Sequence, residues 1–212
     1  MQLRALGVFG GTFDPIHFGH LRIALDVKEA LSLDEIRFIP NAVPPHREPS
    51  RADSHQRLTM LRLATADEPG FVVDDREINR GGLSYTVDTL KTLRDDFPES
   101  SVSMLLGSDA FSGLTSWHRW NELFDLAHII VMKRPGWMPP QDGALGDVVQ
   151  ARVIEKAEEL HVFSCGKIYF CPVTQLAISS TDIRERLGRG YSPSFLLPSK
   201  VVDYITKTQI YA

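Results

Sequence analysis

The stretch LRALGVFGGTFDPIHFGHLRIALDVKEAL, residues 3–31, decides the fold. Leu3 to Phe9 is a short apolar run of strand length, and it stops at Gly10-Gly11. From Phe18 to Leu31 the apolar residues Leu21, Ala24, Leu25 and Val27 fall at helical spacing. A strand, a glycine turn and a helix in succession form the opening of a βαβ unit.

The alternation continues along the chain. Strands are expected at Ile36–Pro40, Phe71–Asp74, Val102–Leu106, His128–Met132 and Lys167–Cys171. Helices are expected at His55–Thr65, Ser84–Phe97, Val148–Leu160, Ser180–Leu187 and Ser199–Thr206, with a short one at Trp117–Phe124. NAVPPHREPS (residues 41–50) reads as a loop, and RPGWMPPQDGALGD (134–147) as a turn-rich, flexible one. The expected fold class is α/β: a doubly wound, Rossmann-like parallel sheet with a small C-terminal helical extension. One domain is expected over residues 1–212, with a core to about 175 and a helical part from about 176.

Composition excludes several classes. The chain has 212 residues, 43% hydrophobic and 24% charged, which is an ordinary globular balance. No apolar run approaches the roughly 18 residues that span a bilayer, so no membrane partner is expected. The net charge of −4 does not suit nucleic acid. Two cysteines, Cys165 and Cys171, are too few for a disulfide framework and read as reduced, buried thiols. With no signal-peptide pattern in MQLRALGVFGGTFDPIH, the expected location is cytoplasmic. No motif specifies an oligomeric state.

Ligands of open parallel sheets bind beyond the carboxyl ends of strands. After the first strand come Gly10 to His20. Two glycines permit close backbone approach, and the next helix offers unpaired amides that suit a phosphate. His17 and His20, at i and i+3, share one face of the first helical turn. The bland alternatives are an ordinary strand–turn–helix, or a metal pair that lacks a third ligand at a recognisable spacing. Neither G-x-G-x-x-G nor a P-loop is present.

Read whole, Gly10–His20 resembles the signature of the nucleotidyltransferase superfamily that carries an (H/T)-x-G-H element, here His17-Phe18-Gly19-His20. Ile178-Ser179-Ser180-Thr181-Asp182-Ile183-Arg184 resembles its second signature, I-S-S-T-x-I-R. The local physics agrees, since serines and threonine cap a following helix whose amides and Arg184 would receive an anion. Pro40–Arg47, Ser84–Thr89, Leu106–Asp109 and Leu114–Trp117 further resemble bacterial nicotinate-nucleotide adenylyltransferases. Arg47 stands where Lys is frequent in that family, which keeps the charge and alters its geometry.

The resemblance implies adenylyl transfer from ATP, with Mg²⁺, to nicotinate mononucleotide, giving deamido-NAD and pyrophosphate. It implies His17, His20 and Arg184 as catalytic residues. Gly10, Gly11, Thr12, Phe13, Gly19, Ser180, Thr181 and Arg184 would bind ATP. Arg47, Tyr85, Thr86, Asp109 and Trp117 would bind the acceptor. From the residues alone, Trp117 could equally be core packing and Asp109 a helix cap. The rival readings are a sister adenylyl- or cytidylyltransferase with a nicotinamide-mononucleotide or pantetheine-phosphate acceptor, a non-catalytic nucleotide-binding module, and a metal hydrolase using His17 and His20.

Overall fold

A computed structural model describes residues 3–43 and 50–211. In chain order its elements are β1 Ala5–Gly11, α1 Phe18–Ala30, β2 Glu35–Pro40, α2 Ser54–Thr65, β3 Phe71–Val73, α3 Arg76–Arg80, α4 Thr86–Asp96 and β4 Ser101–Gly107. There follow α5 Ser108–Ser112, α6 Leu123–Leu126, β5 His128–Lys133, α7 Gly143–Arg152, β6 Ile168–Pro172, α8 Ser180–Gly188 and α9 Ser199–Thr208.

The six strands form one sheet in the order β3-β2-β1-β4-β5-β6. β4 runs parallel to β1 and β5, and β6 parallel to β5. This is the doubly wound strand order, in which the winding reverses after β1. The central strands are buried on both faces, so their sequences are continuous apolar runs rather than alternating ones. The register pairs Val8 with Met104, Met104 with Ile129, and Ile129 with Ile168, all buried.

Two compact units share the chain. One holds residues up to Phe9, Asp26–Ile36 and Tyr85–Val173; the other holds Gly10–Leu25, Arg37–Ser84 and the chain from Thr174. In the second unit the C-terminal segment packs with the turn after β1 and with α2. Leu196 O accepts from Phe18 N–H at 3.1 Å, and Lys200 pairs with Asp67 at 2.7 Å. Helix α2 starts one residue before its expected position because Asp53 and Gln56 form a reciprocal capping box.

Several expected boundaries are corrected. The helix expected at Val148–Leu160 is α7, ending at Arg152, followed by a separate 3₁₀ turn at Ala157–His161. Strand pairing ends it: Val153 bridges to Ile168, and Ile154 N–H donates to Ile168 O at 2.9 Å. Residues 143–147, expected in the flexible loop, open α7. Gly146 is required there, since a Cβ would lie 2.6 Å from the carbonyl oxygen of Gln141. Upstream in that loop, Trp137 is anchored, donating from Nε1 to Ser112 Oγ at 3.1 Å and meeting the Phe111 and Phe170 rings. The short helix expected at Trp117–Phe124 is a 3₁₀ turn at Trp120–Glu122 running into α6, and Trp117 lies outside it. Helices α3 and α5 are too short for periodicity to reveal. Of the two thiols, Cys171 is buried and Cys165 is partly exposed.

Candidate functional site

β1 delivers the chain to Gly10-Gly11 and then to a tight turn. Phe13 adopts a left-handed conformation (φ 51°), and its buried ring lies edge-on to His20 at 5.2 Å and packs on Phe38. A Cβ on Gly11 would lie 2.9 Å from that ring, so the second glycine is the space the Phe13 side chain occupies. Phe13 thus shapes the turn from within. Gly10 is exposed, and among the described residues no atom lies within 4 Å of a Cβ placed there. The carbonyl oxygens of Thr12 and Asn41 accept from the Arg57 guanidinium at 2.8 and 2.7 Å. Arg57 is 1% exposed, and burial lowers its pKa below the usual value.

His17 immediately precedes α1, its carbonyl accepting from the His20 and Leu21 amides at 2.9 and 3.2 Å, and His20 lies in the first turn. Their rings stack, centroids 3.7 Å apart and 25° from parallel. Gly19 makes this possible, because a Cβ there would lie 2.9 Å from His17 Cε1 and Nδ1. The spacing H-x-G-H therefore has a steric cause. Burial lowers the His17 pKa to about 4, and burial together with neighbouring His17 holds His20 well below 6.5. Both imidazoles are neutral at pH 7. Among the described residues, the buried His17 Nδ1 has no hydrogen-bond partner. Of the first-turn amides, Phe18 N–H is taken by Leu196 O and His20 N–H by His17 O.

The second signature sits against the first. Ser179 caps α8, its hydroxyl accepting from Asp182 N–H at 3.1 Å. Ser180 Oγ donates to Pro15 O at 2.9 Å, so its hydroxyl proton is committed and its backbone amide is what it can offer an anion. Arg184 donates from Nη1 to Asp14 O at 2.7 Å and from Nη2 to Thr181 Oγ1 at 3.2 Å. One unit thereby brings together Gly10, Gly11, Thr12, Phe13, His17, Gly19, His20, Ser180, Thr181 and Arg184.

Asp14, Arg57 and Tyr211 belong to this assembly, and sequence reasoning missed all three. Asp14 is buried, with Oδ2 accepting from Arg51 N–H and Oδ1 from Ala52 N–H and the Tyr211 hydroxyl. Arg57 had a signal, since it shares a helical face with Met60 and Leu61, and a charge on an apolar face demands partners. Tyr211 had none.

The expected acceptor residues Tyr85, Thr86, Asp109 and Trp117 lie in the other unit. Tyr85 and Thr86 open α4, and the Tyr85 ring meets His118 at 4.5 Å. Asp109, in the first turn of α5, is exposed and pairs with Arg134. Trp117 is half-exposed, so it is not core packing. Arg47 lies outside the described residues. Among the described residues, no cluster of three or more His, Cys, Asp or Glu side chains is arranged to hold a metal ion.

A doubly wound sheet with two helix N-termini meeting beside paired histidines is an arrangement suited to a nucleotide's phosphates. The cytidylyltransferase-like family model matches residues 8–186, and the chain belongs to that family. Curated relatives named "Probable nicotinate-nucleotide adenylyltransferase" match along nearly its whole length. That of Methylococcus capsulatus is 47% identical, covering 98% of this chain and 99% of its own. That of Aeromonas salmonicida is 46% identical, covering 97% and 96%. The fold is shared with the nicotinic acid mononucleotide adenylyltransferase of Plasmodium falciparum solved with NaAD, at a TM-score of 0.72, 20% identity, and coverage of 98% and 97%.

Proposed function

We propose that this protein is a nicotinate-nucleotide adenylyltransferase, moving the adenylyl group of ATP onto nicotinate mononucleotide to give deamido-NAD and pyrophosphate in NAD biosynthesis. The observation that carries this is the closure of the two signatures on each other. Arg184 and Ser180 donate to Asp14 O and Pro15 O, which sets the N-terminus of α8 beside the one that carries His17 and His20. The adenylyltransferase names of relatives 46–47% identical support the same reading.

An acceptor phosphate oxygen attacks the α-phosphorus of ATP in line. A P–O bond forms as the bond to the bridging oxygen breaks, and the electron pair leaves with pyrophosphate. The attacking phosphate is already anionic at neutral pH, so no side chain need remove a proton. Catalysis is positioning plus charge stabilisation. His17 and His20 enter as neutral donors at the α- and β-phosphates. With the rings stacked, a charge on one disfavours a charge on the other. Arg184, with the first-turn amides of Ser180 and Thr181, holds the β- and γ-phosphates. Gly10, Gly11, Thr12 and Phe13 offer backbone at close range. Mg²⁺ arrives as part of the MgATP substrate. Arg47, Tyr85, Thr86, Asp109 and Trp117 are the proposed acceptor contacts. We place the reaction in the cytoplasm. Two free cysteines support that setting.

The test is pyrophosphate release from MgATP with nicotinate mononucleotide against nicotinamide mononucleotide. Strong release with the acid alone supports the reading. Release with the amide alone, or with neither, overturns the acceptor assignment.

A further inference from the structure

Asp14 sits three residues before His17 and is 5% exposed. A buried carboxylate requires partners for its lone pairs. Arg51 N–H donates to Oδ2 at 2.9 Å, and Ala52 N–H to Oδ1 at 3.2 Å. The shortest contact to it comes from 197 residues away: the Tyr211 hydroxyl donates to Oδ1 at 2.6 Å. Tyr211 is 2% exposed, just past α9, where Gln209 turns the chain through a left-handed conformation (φ 55°). Burial and the Asp14 carboxylate raise the Tyr211 pKa well above its usual value, so the phenol stays protonated as a donor.

Asp14 faces the polyphosphate machinery with its other atoms. Its carbonyl oxygen accepts from Arg184 at 2.7 Å, and the same Arg184 Nη1 lies 3.9 Å from Oδ2. One residue therefore joins the turn that leads to His17, the arginine of the second signature, the approach to α2, and the segment after α9.

We propose that Tyr211 is a positioning residue for triphosphate binding, acting through the Asp14 carboxylate on Arg184 and on the turn that ends at His17. With the hydroxyl in place, the carboxylate is held at one angle and the Asp14 carbonyl meets Arg184 in one geometry. Without it, Oδ1 keeps, among the described residues, only the longer Ala52 contact, the turn gains freedom, and Arg184 and His17 lose their common register. Small misplacements of anion-holding groups are costly, because their strength lies in preorganisation.

The proposal rests on ATP as the ligand, as argued above, and its test separates the two. Binding of MgATP alone, without acceptor, is measured by calorimetry for the wild type, Tyr211→Phe, Asp14→Asn and the control Tyr204→Phe. Steady-state KM values for ATP and for nicotinate mononucleotide are measured alongside. Tyr211→Phe is expected to weaken MgATP binding and raise the ATP KM about tenfold, the scale of one hydrogen bond to a charged group. The acceptor KM is expected to stay unchanged, and Tyr204→Phe to behave as wild type. A purely structural role would lower the folded fraction, and so apparent kcat, without moving the ATP KM. A folded Tyr211→Phe that binds MgATP as wild type does, or collapse of both Tyr211→Phe and Asp14→Asn, overturns the positioning role. No MgATP binding by the wild type overturns the functional reading itself.

Discussion

Arg184 Nη1 donates to the backbone carbonyl of Asp14 across 170 residues of sequence. That bond joins the chain's two signature segments into one structure. It also means that the guanidinium is aligned by protein before any ligand arrives, with a second donor resting on Thr181 Oγ1. Two donors in a fixed fork suit arginine and do not suit lysine, which is a point charge on a flexible stem.

Arg184→Lys is therefore expected to fold but to lose kcat/KM for ATP by about 100-fold, since charge remains while orientation is lost. Pyrophosphate-release kinetics check this. Near-wild-type efficiency would show that only the charge matters.

Gly19→Ala and Gly10→Ala should separate. At Gly19 the new methyl would stand 2.9 Å from the His17 ring, so the histidine must move. A fall in kcat of about 10- to 100-fold is expected, with modest loss of stability. At Gly10 a methyl meets no atom of the described residues, so stability should hold while the ATP KM rises. Melting temperature and KM, taken together for each variant, decide the matter.

Acid should destabilise the fold through its histidines. His17 and His128 have pKa values lowered to about 4 in the folded state, against about 6.5 unfolded. Between those values the unfolded chain binds more protons, so stability is full above about pH 6.5 and falls as pH drops towards 4. For His128 burial is the main cause, and the Nδ1 contact works in the same direction. Nδ1 accepts from Lys167 N–H at 3.0 Å and Nε2 pairs with Phe163 O at 2.9 Å, so a proton on Nδ1 would displace the Lys167 amide. Urea midpoints of wild type and His128→Gln between pH 7 and 5 should show a shallower pH dependence in the variant. Equal slopes would sink the assignment.

Arg57→Met should cost about 3 kcal/mol of stability, because it strands the carbonyls of Thr12 and Asn41 that the guanidinium now serves. Arg57→Lys should fall between. Chemical denaturation of the two variants gives the ordering directly.

The Asp109–Arg134 pair is more than 60% exposed at both side chains and adds little to stability. Asp109→Asn should leave the melting temperature within a degree or two while raising the KM for nicotinate mononucleotide. A marked change in melting temperature, or an unmoved KM, would count against an acceptor role.

Much of the strand–helix alternation was legible, because buried parallel strands are apolar on both faces and their helices carry a 3.6-residue stripe. Misjudged ends trace to long-range effects, as where Ile168 captures Val153 and Ile154 from the end of a helix. The histidines, glycines and second-signature hydroxyls were legible too, as local motifs. Ser180 was half read: its place at the helix start was evident, but the commitment of its hydroxyl to Pro15 was not.

By itself the sequence determined the parallel α/β class and marked the glycine turn and the second signature as segments to watch, because each is written in neighbouring residue types. Only the tertiary structure decided the roles of Asp14, Arg57 and Tyr211. A buried carboxylate or guanidinium is defined by the partners that compensate its desolvation, and here those partners come from distant parts of the chain. Local pattern records which groups need partners, and packing alone selects them.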